Sequence, residues 1–423
     1  MKKIISIVLA LLLSPIVLAA ELEQSVLNSL YDEIWHHKMI SSPTYATYVG
    51  YPGQNGRWPD PSLEAVQQNK QTRRDFLKQL RAIEADELDE DSLLGWQLVE
   101  KNLSDEVDGY VFPEEFILIH QRSGVQQDIS DTLSMMPSAN RQDFSDRLSR
   151  LRGAADYIDQ NITVLREGLK RNITPPQITL RDVPDQIRNT TPEDILKSPL
   201  LKSFTKWPLG ISDAEQSKIT SEAVAIVKNS IYPAFDRLLT FLETDYIPNA
   251  NSSIALSDMR NGSNWYRHRA KRFTTSSLTP KQIHSLGLRE VKRIRKQMDE
   301  VIAESGFKGS FEQFTAFLRT DPQFYMTSAE SLLAGYRDIA KRADPELAKM
   351  FGKLPRMPYG VIPIPDYAAK SQTTAYYWGG SAKDGRPGYF YANTYALNTR
   401  PIWEMEALTL HEAMPGHHLQ ISL

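Results

Sequence analysis

At 423 residues and 48.1 kDa the chain exceeds the roughly 250–300 residues at which one core stops growing, so two lobes are expected. Hydrophobic residues at 41% and charged residues at 24% exclude global disorder and a multi-span membrane protein. With 49 basic against 52 acidic side chains, a net charge of −3 and no cysteine, nothing favours a nucleic-acid partner. Any metal site must use His, Asp or Glu, and no disulfide can form.

Residues 1–20 join Lys2 and Lys3 to an apolar run, Ile4 to Leu18, ending in the small pair Ala19 and Ala20. This is the layout of a bacterial export signal. About 15 apolar residues interrupted by Ser14 and Pro15 fall short of the ~20 that a spanning helix needs. A periplasmic or secreted protein is expected, without stable membrane association once the signal is cleaved. The mature chain divides into a helical lobe over 21–265 and a catalytic-type lobe over 266–423.

Periodicity predicts a mainly α fold. Ser62 caps a helix through Val66, Leu77, Leu80 and Ile83. Asp213 caps a longer one through Ile219, Ile226, Ile231, Leu238 and Leu242, which Pro233 should kink or divide. The basic string Tyr266 to Arg272 reads as ordinary surface. Thr279 and Pro280 start a helix whose core stripe is Ile283, Leu286, Val291, Ile294, Met298 and Val301. Thr327 and Glu330 have capping-box spacing before Leu332, Leu333, Tyr336 and Ile339. The Pro-rich stretches at 174–184 and 189–208 read as loops.

The texture changes over 354–398, where prolines punctuate β-branched and aromatic residues. Short strands are expected in VIPIPDY, TTAYYWGG and GYFYANTYAL, with a turn at Asp384 and Gly385. Tyr389, Tyr391 and Asn393 alternate and so share one face. They are the candidate substrate contacts, able to donate to the oxyanion of an acyl intermediate, unless they pack the core instead. An edge strand here could pair with an extended peptide, and Arg386 is a candidate for a substrate carboxylate.

Pro401 then opens a helix through Trp403, Met405 and Leu408 to HEAMPGHH, which places three of the eight histidines and Glu412 within eight residues. In zinc hydrolases two His four apart on one helix converge on the metal, and the intervening Glu is the general base. Here Pro415 stands where the second His should be. On a straight helix His417 lies about 240° around from His411, and His418 about 20° around but roughly 10.5 Å along the axis. Pro415 and Gly416 allow the helix to bulge. Two residues looped out make His417 the second ligand, and three make it His418. His411, His417 and His418 are therefore the candidate metal ligands, with Glu412 accepting a proton from water and passing it to the leaving group.

The string LTLHEAMPGHHLQ, with GRPGYFYANT, LTPKQIHSLGLREVKRI and SPTYATYVGY, resembles the bacterial domain-of-unknown-function family 885 over essentially all of 21–423. That family is similar to zincin-type metallopeptidases of the oligopeptidase and carboxypeptidase Taq-like kind. The resemblance implies a zincin-like helical architecture with a small sheet beside the HEAMPGHH helix, zinc as cofactor, and a peptide substrate. It matches Gly416 and His417 to the Gly-His of the HExGH core. It also implies a third ligand, a carboxylate on a helix that follows this motif, so the second lobe is expected to be incomplete at Leu423. Glu404, Glu406, Asp366 and Asp384 are the upstream stand-ins. A truncated relative that binds peptides without cleaving them is the alternative expectation.

Overall fold

The computed structural model describes residues 2–423 except Ser371, Lys383 and Asp384, and leaves the side chains of residues 2–21, Tyr367 and Ala368 undescribed. The side chains of the expected leader therefore lie outside the described residues, as do those of Lys383 and Asp384 in the expected turn. Among the described residues no helix is long and apolar enough to cross a membrane. The chain forms two units, Met1–Pro280 and Lys281–Leu423.

The first unit is helical: α1 (Lys2–Ser41), α2 (Pro43–Tyr48), α3 (Leu63–Leu80), α4 (Glu90–Gly109), α5 (Val125–Met135), α6 (Arg141–Lys170), α7 (Val183–Thr190), α8 (Asp213–Ile226), α9 (Tyr232–Phe241) and α10 (Gly262–Thr274). Its main core follows α6, which a capping box of Asn140 and Asp143 starts. Phe144, Leu148, Leu151, Ala154, Ile158, Ile162 and Leu165 recur at three- and four-residue steps and pack against Phe235, Leu238 and Phe241 of α9. Leu27, Leu30, Phe76, Leu77, Leu80 and Leu103 join α1, α3 and α4 in a second cluster.

Several expected details shift by a residue or a turn. Ser62 caps α3 as expected, through Ala65 N–H. The cap of α8 is Ser212, not Asp213, because its hydroxyl reaches Glu215 N–H. Pro233 does not divide the long helix: the backbone stays helical at Ile231 and Tyr232, and a π-helical segment, Val227–Ile231, just before the proline widens the turn where its N–H is missing. The lobe boundary expected at 265/266 lies later. Trp265, 1% exposed, stacks on Phe112 with centroids 5.9 Å apart and donates to Glu114 at 2.9 Å, so α10 belongs to the first unit.

His37 gives this unit an acid-side weakness. Its ring packs edge-on to Phe76, Nε2 has no hydrogen-bond partner among the described residues, and burial, then Arg73 and His36, hold its pKa below the ordinary 6.5. The unfolded chain therefore binds this proton more readily than the fold, and stability is lost as pH falls through about 6.5. His37→Phe is expected to flatten that loss, read as melting temperature between neutral pH and about pH 5.

The second unit contains α11 (Pro280–Glu304), α12 (Phe311–Thr320), α13 (Ala329–Ala343), β1 (Tyr359–Pro363), α14 (Asp366–Ala369), β2 (Ala375–Trp378), β3 (Gly388–Ala392), α15 (Ile402–Glu412) and α16 (His417–Ser422). The capping box of α13 uses Ser328 and Ser331, one residue past the expected pair. The expected core stripe of α11 is not buried: Leu286, Val291, Ile294, Met298 and Val301 are exposed, and Ile302 is the residue that packs. An amphipathic pattern marks an apolar face without saying what covers it.

Among the described residues three strands form a sheet in the order β1-β3-β2, with β1 parallel and β2 antiparallel to β3. Register places Val361, Tyr377 and Phe390 side by side. Phe390 is fully buried and packs with Tyr336 of α13 and Met405 of α15, so this face is covered by helices. A small sheet beside the HEAMPGHH helix is therefore present.

Candidate functional site

Pro401, extended at φ −73° and ψ 147°, stands just before α15, whose buried residues are Met405, Thr409 and Glu412. The steps of four and three put these on one stripe. The Thr409 hydroxyl closes onto the Met405 carbonyl at 2.6 Å, which leaves Glu412 the polar group that this stripe carries inward. His411, one residue earlier and about 100° around the helix, is exposed.

The helix then stops instead of bulging. Ala413 makes the last helical bond, to Thr409 at 2.8 Å, and leaves the α region at ψ −111°. Met414–Pro415 is a cis peptide, Gly416 folds back, and α16 starts at His417, with His418 N–H donating to the Ala413 carbonyl at 3.0 Å. A Cβ on Gly416 would stand 1.9 Å from the His411 carbonyl oxygen, so glycine is required for the chain to return this closely over α15. The return sets the His417 ring 4.7 Å from that of His411, at 81° to it. The extra residues are thus absorbed by a break and restart, because Pro415 has no N–H with which to continue α15.

Glu412 is 6% exposed, and its Oε2 has no hydrogen-bond partner among the described residues. His417 Nε2 lies 3.9 Å from that oxygen. Desolvation raises the carboxyl pKa; the His417 and His411 imidazoles and the nearby Tyr377 backbone N–H oppose the rise. An unmade hydrogen bond at a buried oxygen costs about 1–3 kcal/mol. The arrangement is a proton-accepting carboxylate beside two imidazoles, one exposed and one half-buried.

His418 does not join them. It is 1% exposed, its Nε2 lies 3.0 Å from the Met357 carbonyl and its Nδ1 2.7 Å from the Tyr377 hydroxyl. A carbonyl only accepts, so Nε2 carries the proton and Nδ1 accepts from Tyr377, which is the neutral tautomer. Burial favours that neutral form and lowers its pKa. With both nitrogens engaged, His418 lacks the free lone pair a metal ligand needs, and of the three expected histidines His411 and His417 are the facing pair.

The expected substrate contacts are also placed elsewhere. Alternation along β3 turns Tyr389 and Tyr391 to the face opposite Phe390, away from the helices that carry the histidines. There Tyr391 stacks on Tyr376 with centroids 4.8 Å apart. Asn393 lies past the end of β3 and is 1% exposed; its amide donates to the Ala369 and Thr373 carbonyls and its oxygen accepts from Tyr395 N–H. It closes a loop and is not presented to a ligand. Arg386 donates to the Gly379 carbonyl at 2.9 Å across the β2–β3 connection.

Among the described residues no group of three or more His, Asp or Glu side chains is arranged to hold a metal ion. Glu404 and Glu406 are exposed on earlier turns of α15, Asp366 is exposed at the start of α14, and Asp384 lies outside the described residues. The donors present fit a zinc centre in part: two imidazoles that face each other and a buried, under-bonded carboxylate. Sequence reasoning missed Tyr377, which bonds His418 and whose backbone N–H faces Glu412. Its role depends on strand register, which no local motif encodes.

The fold and site define a mainly helical protein whose second unit carries a His-Glu/His cluster beside a small mixed sheet. The chain belongs to the family described as bacterial protein of unknown function DUF885, whose model matches residues 43–423. The structure is similar to a crystal structure titled "putative lipoprotein" from Colwellia psychrerythraea, with a TM-score of 0.86 and 21% identity, covering 95% of this chain and 72% of that one. That likeness shows the fold alone. Comparison with curated proteins returns no match.

Proposed function

We propose that this protein is an exported zinc-dependent peptidase with Glu412 as general base and His411 and His417 as zinc ligands. The observation that carries the reading is the paired imidazoles, 4.7 Å apart, flanking a buried carboxylate whose Oε2 is unpartnered. The similarity of HEAMPGHH to the zincin core supports a peptide as the acyl substrate, and the Lys-Lys leader pattern supports export to the periplasm or medium.

When bound, zinc supplies a Lewis acid for the scissile carbonyl and acidifies water. Glu412 takes a proton from the attacking water while the new C–O bond forms at the carbonyl carbon. It then returns that proton to the amide nitrogen as the C–N bond breaks, which releases a carboxylic acid and an amine. Burial makes the carboxylate more basic and suits it to this exchange. Tyr377 N–H faces the carboxylate, whose unpartnered Oε2 is the oxygen open to the water.

The test is metal content by mass spectrometry together with turnover of a mixed quenched-fluorescent peptide library. One zinc per chain and hydrolysis are expected; His417→Ala is expected to lower zinc affinity by about 100-fold or more and abolish turnover. A zinc-loaded chain that cleaves no peptide sinks the reading. A second reading has one observation in its favour, the lack of a third ligand among the described residues. It makes the chain a peptide-binding relative without catalysis, and predicts weak zinc binding and peptide capture without cleavage.

A further inference from the structure

We propose that His418 and Tyr377 form a latch that fixes the direction of the Glu412 carboxylate, which makes the second histidine of the HH pair a positioning residue. The inference rests on the reading of Glu412 as the base.

The latch is a chain of hydrogen bonds that ties β2 to α16 and to the segment before β1. The Met357 carbonyl, just before β1, accepts from His418 Nε2 at 3.0 Å, and His418 Nδ1 accepts from the Tyr377 hydroxyl at 2.7 Å. Tyr377 belongs to β2, which packs on α15, and its backbone N–H faces the Glu412 carboxylate and helps to hold the carboxyl pKa down. Tyr377 is therefore tied to α16 by its side chain and set beside α15 by its main chain. The ring of His418 is held against Tyr359 with centroids 4.6 Å apart, and Ser422 Oγ lies 3.3 Å from Nδ1.

The sequence of β3 is shaped to admit this phenol. A Cβ on Gly388 would stand 1.9 Å from the Tyr377 hydroxyl oxygen and 3.1 Å from His418 Nδ1, so only glycine leaves room for the bond. The neighbouring ring of His417 lies 6.4 Å from that of Tyr377 and nearly parallel to it, so the phenol also borders the imidazole pair. Two adjacent histidines thus divide the work. His417 faces His411, and His418 turns inward and holds the strand that packs beside the base. The inward bonds explain why a buried histidine is tolerated at 418, since each ring nitrogen has a partner.

The experiment uses the full chain and three variants: Tyr377→Phe, His418→Asn and His418→Leu. Asn places its amide oxygen where Nδ1 stands and keeps an acceptor for the Tyr377 hydroxyl, whereas Leu keeps none. Residue-resolved deuterium exchange at the Tyr377 amide reads the latch without reference to activity. Exchange is expected to quicken about 10-fold or more in Tyr377→Phe and His418→Leu and to stay within about 3-fold of the parent in His418→Asn. With the peptide library, kcat is expected to fall about 10-fold in the first two at KM within about 2-fold, with zinc content unchanged. Unchanged exchange at residue 377 in folded Tyr377→Phe overturns the latch, and so does loss of zinc in His418→Leu at unchanged exchange. If the parent chain cleaves no peptide, the peptidase reading fails and the exchange result alone decides the latch.

Discussion

Glu412→Gln is expected to lower peptide turnover by about 10²- to 10⁴-fold while the zinc content stays at the parent level. The amide has the shape of the carboxylate, and its oxygen can still face the Tyr377 backbone N–H. What is lost is the capacity to accept a proton. The substitution also removes a charge from a site where burial disfavours it, so the variant is expected to melt no lower than the parent at neutral pH. This pairing of lost turnover with retained stability separates a catalytic role from a structural one. Steady-state kinetics, calorimetry and metal analysis on one preparation check it, and full activity in Glu412→Gln ends the proposed mechanism.

The second large effect lies in the first unit. Arg150→Ala is expected to destabilise that unit by about 3–4 kcal/mol, seen as an earlier calorimetric transition. Arg150 is fully buried on α6, and its guanidinium donates to the carbonyls of Pro43, Gln54 and Arg57 and to the Thr47 hydroxyl, at 2.8–3.2 Å. It stacks over Trp58, whose indole N–H donates back to the Arg150 carbonyl at 2.7 Å. Burial lowers its pKa to about 10, which leaves it charged at neutral pH. The segment from Pro43 to Trp58, irregular beyond α2, is thus tied to α6 through this side chain, and truncation leaves the Arg57 carbonyl without a donor among the described residues and takes one donor from those of Pro43 and Gln54, which keep Thr47 Oγ1 and Arg57 N–H. Arg150→Lys is expected to recover less than half of the loss, because a single ammonium cannot reproduce the planar fork. An unchanged transition in Arg150→Ala would show that water replaces the guanidinium at no cost.

Local chemistry was legible where it acts over a few residues. The capped helix at Ser62, the helix irregularity at Pro233, the strands of the 354–398 region and the helix after Pro401 all follow from side chains that satisfy or deny nearby backbone groups. The break at Pro415 and Gly416 was visible for the same reason. The shape of that break was not, because a bulge and a restart both answer a missing N–H, and the close approach of Gly416 to His411 O selects between them.

The partition of the histidines shows the limit most clearly. Counting residues along a helix could not choose between His417 and His418, since both choices need the chain to depart from the helix being counted. Their environments decide it. One side chain stands half-buried against His411, and the other is enclosed by Tyr359, Tyr377 and the Met357 carbonyl. The same holds for Tyr389, Tyr391 and Asn393. Alternation correctly grouped the two tyrosines, but the face that meets the helices is set by Phe390 and its partners in neighbouring strands.

By itself, then, the sequence determined the helical class, the small sheet, the absence of thiol chemistry and the clustering of His and Glu after Pro401, all of which depend on composition and short-range periodicity. The tertiary structure alone decided which histidines face each other, which tyrosine reaches the base, and which apolar stripe is buried. Those outcomes depend on contacts between residues far apart in the chain, whose pairing no local pattern encodes.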